Sequence, residues 1–174
     1  STPLAVCHNL RIERHSVFKG IVQRGKSSTG WFYGFKLHAV INHQRELLAI
    51  KLTPGNVDER KGLLAIASSL FGKLYADKGY IHKVFVQKMK NKCIDLVIRM
   101  RKNMKEVVHF EFDQALLRKR SLVATVFDGL KNLCQIQHTR HRSPMNFAVN
   151  LMAVIVAYCL QPVKPCATLG TCWL

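Results

Sequence analysis

The sequence predicts an α/β domain in which an antiparallel hairpin precedes a parallel crossover, and helices follow. The hairpin is predicted by two apolar segments of strand-like composition, Phe32–Ile41 and Leu47–Leu52, which are separated by a polar connection of hairpin length. The crossover is predicted by two shorter strand-like segments, Lys73–Ala76 and Ile94–Met100, with a helical segment over about 81–91 between them. Together these segments predict a mixed sheet with helices around it.

The other elements follow from turn residues and helical spacing. The first 30 residues are polar, basic and irregular, so they are expected to be loop. Asp58 is expected to cap or open an amphipathic helix. One helix is predicted over 114–137 and another over 145–160, with a polar break between them.

The charge balance predicts a polyanionic partner. The chain has 174 residues, with 27 Lys and Arg against 10 Asp and Glu, which gives a formal net charge of +17. Because 48% of the residues are hydrophobic, this charge belongs to a folded body and not to a disordered tail. Nucleic acid is the partner that such a body favours. No signal peptide is visible, and the apolar run Leu151–Leu160 is far shorter than a membrane span requires.

One segment imitates a nucleotide-binding motif. Gly20–Ser27 matches the phosphate-loop pattern letter for letter. That motif works where a strand leads into the loop and a helix follows it, so that backbone N–H groups face the phosphates. The flanking residues predict neither element, so a basic loop is the favoured interpretation and a nucleotide hydrolase is a minor alternative.

Three further features are candidates for function. Asp77 stands at the carboxyl end of a predicted strand, where functional side chains project in α/β sheets, although a cap for the helix at 81–91 is an alternative role. Arg120, Ala124 and Lys131 share one face of the predicted helix 114–137, so two cations flank a methyl group. The basic run 138–143 is either a solvated loop or a phosphate-contacting one.

Several motifs together resemble the bacterial insertion-sequence transposases of the DDE type. They lie in the family's order and spacing between about residues 1 and 165, and they are Thr53–Arg60, Leu74–Tyr80, Leu117–Asn132 and His138–Pro144. The resemblance implies a ribonuclease-H-like fold, with a mixed sheet flanked by helices. It divides the chain into a partial catalytic domain over 1–160 and a loosely ordered tail over 161–174.

The resemblance also implies which residues belong to the active site. The family holds two divalent ions, Mg²⁺ or Mn²⁺, with two aspartates and a glutamate. Asp77 matches the second acid and would be a catalytic metal ligand. The third acid lies in a helix between an Arg and a Lys that match Arg120 and Lys131, but Ala124 occupies its position. The first acid would precede Ser1, so the sequence predicts that this acid and the first strand are missing.

The function implied is that of a transposase fragment that binds DNA without useful catalysis. Arg120 and Lys131 would contact phosphates beside the reaction centre, while His138, Arg140 and Arg142 would contact flanking backbone. The expected setting is double-stranded DNA at the nucleoid of the bacterial cytoplasm, with a homodimer as the assembly. Two alternatives stay open, namely a non-catalytic DNA-binding regulator derived from a transposase and an unselected remnant that folds poorly.

Overall fold

The antiparallel sheet is organised around one long strand. The structure is a computed structural model that describes residues 1–99, 111–137 and 141–164, with the backbone alone at Arg120. Strand β3 (Gly30–Ile41) pairs with β1 (Thr2–Cys7) along one edge. Its other edge pairs first with β2 (Gln23–Ser27) and then with β4 (Leu47–Pro54), so β2 and β4 lie end to end. The predicted hairpin is therefore β3–β4.

Both faces of β3 are buried because helices cover both. Side chains of a strand alternate between faces, so Phe35 and Leu37 lie on one side and His38 and Val40 on the other. The first side packs in a core formed with the helices after residue 121, where the rings of Phe35 and Phe147 stack 5.1 Å apart. Val40 belongs to a second core formed with the helices and strands between residues 59 and 98.

A parallel β-α-β unit follows the hairpin, as predicted. Helix α1 (Glu59–Ile66) begins after Asp58, whose carboxylate accepts a hydrogen bond from the Arg60 amide at 2.8 Å. Strands β5 (Gly72–Ala76) and β6 (Ile94–Ile98) pair in parallel across helix α2 (Lys83–Lys90). The α/β fold class is confirmed, but the described strands form a four-stranded sheet and a separate two-stranded sheet in place of one continuous mixed sheet.

The helical region is less regular than its sequence predicts. Residues 114–137 do not form one α-helix. Helices α3 (Glu111–Arg118) and α4 (Leu122–Asp128) are separated by a 3₁₀ turn at Lys119–Ser121, and α4 continues into a π-helical stretch at Gly129–Leu133. Helix α5 (Pro144–Leu160) matches its prediction closely, and Ser143 caps it by accepting from the Met145 amide at 3.2 Å.

The prediction of loop for the first 30 residues is wrong. This segment contributes β1 and β2, and the sheet therefore has a strand from Thr2 onward, although the sequence predicts the loss of its first strand. Strand β2 includes the second half of the phosphate-loop match, and a turn then leads directly into β3. Residues 20–41 are all described, and no helix follows Ser27 there, so the loop-to-helix geometry of a phosphate loop is not formed.

The chain after α5 is held at its start by one lysine. The Lys164 ammonium donates to the carbonyl oxygens of Tyr158 and Cys159 at 2.8 Å each, and to that of Gln161 at 3.1 Å. These carbonyls belong to the end of α5, where cations are favourable. Residues 165–174, most of the predicted tail, lie outside the described residues.

Candidate active-site region and nucleic-acid interface

Asp77 lies at the carboxyl end of the parallel strand pair, as predicted. It follows β5 directly and is exposed. Its Oδ1 accepts a hydrogen bond from the Lys78 amide at 2.7 Å, and the residue caps a 3₁₀ turn at Lys78–Tyr80. The alternative role as cap of the following helix is wrong, because α2 begins at Lys83 and His82 occupies its N-cap position. Asp77 thus has a local structural role at the sheet edge where functional groups are expected.

A second carboxylate, Glu59, joins the start of β1 to the turn that follows Asp77. Its Oε1 accepts from the Ser1 hydroxyl at 2.8 Å, and its Oε2 accepts from the Tyr80 hydroxyl at 3.4 Å. Burial raises the pKa of Tyr80 well above its usual range, and the carboxylates of Glu59, Asp58 and Asp77 raise it further. The Tyr80 phenol is therefore a neutral donor among three acids.

Sequence reasoning missed the place of Glu59. The residue belongs to the Thr53–Arg60 motif, which supported the family resemblance without suggesting a role for this acid. Its partner Ser1 lies 58 positions away in the sequence. Only the pairing of β1 with β3, and the packing of α1 on the same sheet, bring the two residues together.

The helical segment presents Ala124 and Asp128 at the surface. Ala124 is exposed, so the position that carries glutamate in the resembling family holds a methyl group that cannot ligate a metal. Asp128 is also exposed, and its Oδ1 accepts from the Asn132 amide at 2.6 Å, which directs it along its own helix. Asp128 therefore has a partner one turn further on in its own helical segment.

The predicted common face of Arg120 and Lys131 does not lie on a regular helix. The backbone of Arg120 belongs to the 3₁₀ turn and Lys131 belongs to the π-helical stretch. The spacing of an unbroken α-helix therefore does not describe how these two positions are related. Burial lowers the pKa of Lys131, and the nearby Asp128 carboxylate opposes that effect.

Lys131 lines a shallow polar cavity of about 320 Å³ together with Asn132, Gln135 and Gln137. The Gln137 amide donates to the carbonyl oxygen of Pro3 at 2.6 Å. Pro3 is two residues from Ser1, a distance that an extended chain covers in ~7 Å. The start of β1 therefore contacts both the Lys131 region and the Glu59–Tyr80 pair that adjoins Asp77.

The basic run after the π-helical stretch is only partly described. His138 and Arg140 lie outside the described residues. Arg142 is exposed, just before the cap of α5. The His141 ring lies edge-on to Phe147, with ring centroids 5.6 Å apart, and so anchors this run to the core.

The described residues do not supply a metal-binding cluster. Among residues 1–99, 111–137 and 141–164, no group of three or more His, Cys, Asp or Glu side chains is placed to hold an ion. Asp77 has no matching third carboxylate at position 124, because alanine occupies that position. The donor set therefore does not fit the two-ion arrangement that the resemblance implies.

These features together define a ribonuclease-H-like α/β domain with an acid at the end of a parallel strand and a basic helical segment later in the chain. The profile of the family described as "transposase DDE domain" matches residues 1–144, so the chain belongs to that family of transposases. Comparison with curated proteins found no match, and neither did comparison with solved structures. Transposition is the function of this family, with DNA as substrate and divalent ions as general cofactors. No helix in the described ranges is long and apolar enough to cross a membrane.

Proposed function

We propose that this chain is a DNA-binding transposase derivative of bacterial insertion-sequence type whose catalysis is impaired. The observation that carries the proposal is Ala124, an exposed methyl group at the position where the family's helix motif has its glutamate. The ancestral enzyme would cut element ends and join them to target DNA. Of the acids implied for that reaction, the second is matched by Asp77.

DNA binding is supported by charge that the acids do not neutralise. The net charge is +17, and the described residues contain two ion pairs, Arg60–Asp58 and Lys73–Asp113. We assign phosphate contacts to Arg120 and Lys131 beside Asp77, and to His138, Arg140 and Arg142 on flanking backbone. Such contacts are independent of sequence and sensitive to salt.

The proposal is tested with purified protein, a labelled DNA duplex carrying the element end, and Mg²⁺ or Mn²⁺. We expect binding without nicked or joined products. Products that disappear in Asp77→Ala would contradict impaired catalysis. Ala124→Ser is a matched control for the helix position, because a serine hydroxyl supplies no carboxylate and should also yield no product.

A non-catalytic regulator is the second candidate, and Ala124 favours it equally. A regulator that competes for element ends must prefer those ends over other DNA. Specific proteins bind their sites ~10³-fold or more tightly than other sequences. Equal affinity for end and scrambled duplexes at fixed salt would exclude this role and leave the general proposal intact.

We further propose a homodimer assembled through α5, located with DNA at the nucleoid, and one folded unit over residues 1–160. Helix α5 supports the dimer because a stripe of large apolar side chains runs along its exposed side. The stripe consists of Met145, Val149, Met152, Val156 and Leu160. Residues 144–163 contain no charged side chain, so two strongly basic copies can approach one another here with the least repulsion.

A further inference from the structure

A groove between α1 and α2 is lined by basic side chains on an apolar floor. It encloses about 260 Å³. Its rim carries Arg60 and Lys61 from α1, His82 from the start of α2, and Lys88 from α2 itself. Neither the sequence motifs nor the family match assigns a function to this groove.

The one acid at the groove is already neutralised. The Asp58 carboxylate accepts from the Arg60 guanidinium at 2.7 and 3.0 Å, and this partner holds the pKa of Asp58 down to about 2. In the part of the chain that the structure describes, neither Lys61 nor Lys88 forms an ion pair. Both lysines are exposed, so the groove presents net positive charge to solvent.

The floor of the groove connects it to the Asp77 region. Leu64, Val84 and Phe85 form the floor, and the Phe85 ring lies 6.1 Å from that of Tyr80 between centroids. Tyr80 ends the 3₁₀ turn that Asp77 caps. A chain of phosphates in the groove would therefore lead toward Asp77, while the apolar floor suits the sugars between phosphates.

The basic character extends along the whole connection from Asp77 through α2. Between Lys78 and Lys92 the sequence has five lysines, one histidine and no acid. All five lysine side chains are exposed. An uninterrupted cationic segment of this kind fits a polyanion better than a single small anion, because counterion release rewards each additional phosphate contact.

We propose that the α1–α2 groove is a second DNA-backbone site, separate from the Lys131 and Arg142 region, in which Lys61 and Lys88 contact successive phosphates. The inference rests on the proposed DNA-binding function. It adds a basic surface that is connected to the Asp77 turn through the Phe85 and Tyr80 rings.

The test is the salt dependence of binding to a labelled 20-base-pair duplex (a length of roughly two helical turns), measured by fluorescence anisotropy. We compare Lys61→Ala/Lys88→Ala with a control, Lys19→Ala/Lys51→Ala, whose two lysines are exposed but lie off the groove. The slope of log affinity against log salt is negative, and each lost phosphate contact should reduce its magnitude by ~0.9. For the groove variant alone, we expect the magnitude of the slope to decrease by ~1.8. We also expect its affinity at low salt to decrease roughly tenfold or more.

Two further measurements make the outcome decisive. Lys61→Arg/Lys88→Arg keeps the charge and should bind like the wild type, and thermal melting of each variant checks that the fold is intact. Equal slopes for the groove and control variants would overturn the inference while leaving DNA binding itself in place. Absence of wild-type DNA binding would overturn both proposals. Saturable binding of inorganic phosphate in the groove, with unchanged DNA affinity in the groove variant, would assign the groove to a small anion and also overturn the inference.

Discussion

Gly62 in α1 packs directly against the ring of His38 in β3. A Cβ atom at residue 62 would overlap the ring carbon and both ring nitrogens of His38. The His38 Nε2 and the Thr53 hydroxyl form a buried hydrogen bond of 2.9 Å, so the ring cannot move aside without losing that partner. This contact sets how closely α1 approaches the sheet, and hence where Glu59 and Asp58 lie at the start of the helix.

We expect Gly62→Ala to destabilise the protein. In an exposed helix the change to alanine would stabilise by ~1 kcal/mol, because glycine has the poorer helix propensity. Here the added methyl must displace α1 or the His38 ring, and overpacking of this kind costs roughly 1–3 kcal/mol. Urea unfolding measures the difference, with Gly79→Ala as the control because a Cβ there meets nothing within 4 Å. A more stable Gly62→Ala protein would contradict the close contact.

His38 should make the fold sensitive to mild acid. Burial lowers the pKa of His38 from 6.5 to about 4. The unfolded chain then binds a proton that the folded chain does not, so stability is complete above pH 6.5 and declines as the pH falls toward 4. Over that interval the loss is roughly 3 kcal/mol.

The variant that checks this is His38→Gln, which can still donate to the Thr53 hydroxyl but does not titrate. Its free energy of unfolding should vary less between pH 6.5 and 4 than that of the wild type. His43→Gln, at an exposed position in the hairpin turn, is the control and should follow the wild-type curve. Parallel pH profiles for the wild type and His38→Gln would refute the assignment.

Asp113 should hold α3 against β5. Its buried carboxylate accepts from the Lys73 ammonium at 2.9 and 3.0 Å and from the Tyr75 hydroxyl at 2.7 Å. Burial, followed by the Asp113 interaction, raises the pKa of Tyr75 to about 12. Asp113→Ala removes the acceptor of both groups and should cost roughly 2 kcal/mol, whereas Tyr75→Phe should cost about 1 kcal/mol.

A titration distinguishes this contact from general destabilisation. In Asp113→Asn the pKa of Tyr75 should fall, although not to 10.0, because burial remains its larger cause. The absorbance of tyrosinate follows the change, and Tyr75→Phe identifies which tyrosine is responsible. An unchanged titration curve in Asp113→Asn would show that the carboxylate does not act on Tyr75.

The sequence predicts those parts of the fold whose signals are local. The hairpin, the crossover β5–α2–β6 and α5 each carry their own periodicity, and Asp58 marks the start of α1. Strand β2 was missed because Gly25 is its one buried residue, so no apolar alternation identifies it. It forms because β3 offers it a hydrogen-bonding edge. The position of Asp77 was predictable from strand order, but the contacts of Glu59 and Asp113 depend on partners 58 and about 40 residues away.

Lys131 and Arg142 should contribute to DNA affinity without regard to sequence. Lys131→Ala/Arg142→Ala removes two cations, and the magnitude of the slope of log affinity against log salt should decrease by ~1.8. The loss should be equal for element-end and scrambled duplexes, because phosphate contacts carry no base information. Lys19→Ala/Lys51→Ala again serves as the control. A loss confined to one duplex would indicate that these residues contact bases.

The outer face of α5 should drive self-association between two copies. The helix has 17 residues, which corresponds to a length of ~25 Å, and its large exposed apolar side chains follow one another at steps of four, three, four and four residues. This spacing is typical of a helix-helix seam, and an antiparallel pair about a two-fold axis would bring the stripe against itself. An acidic partner would be drawn to the basic surfaces instead of this uncharged face, so a second copy is the expected occupant.

Sedimentation equilibrium should give a dimer for the wild type and a monomer for Val149→Glu/Met152→Glu. Leu10→Glu/Phe71→Glu adds the same charge at two positions that are each 88% exposed and lie off the helix, and it should remain dimeric. A wild-type monomer, or a dimer that survives the α5 substitutions, would exclude this interface.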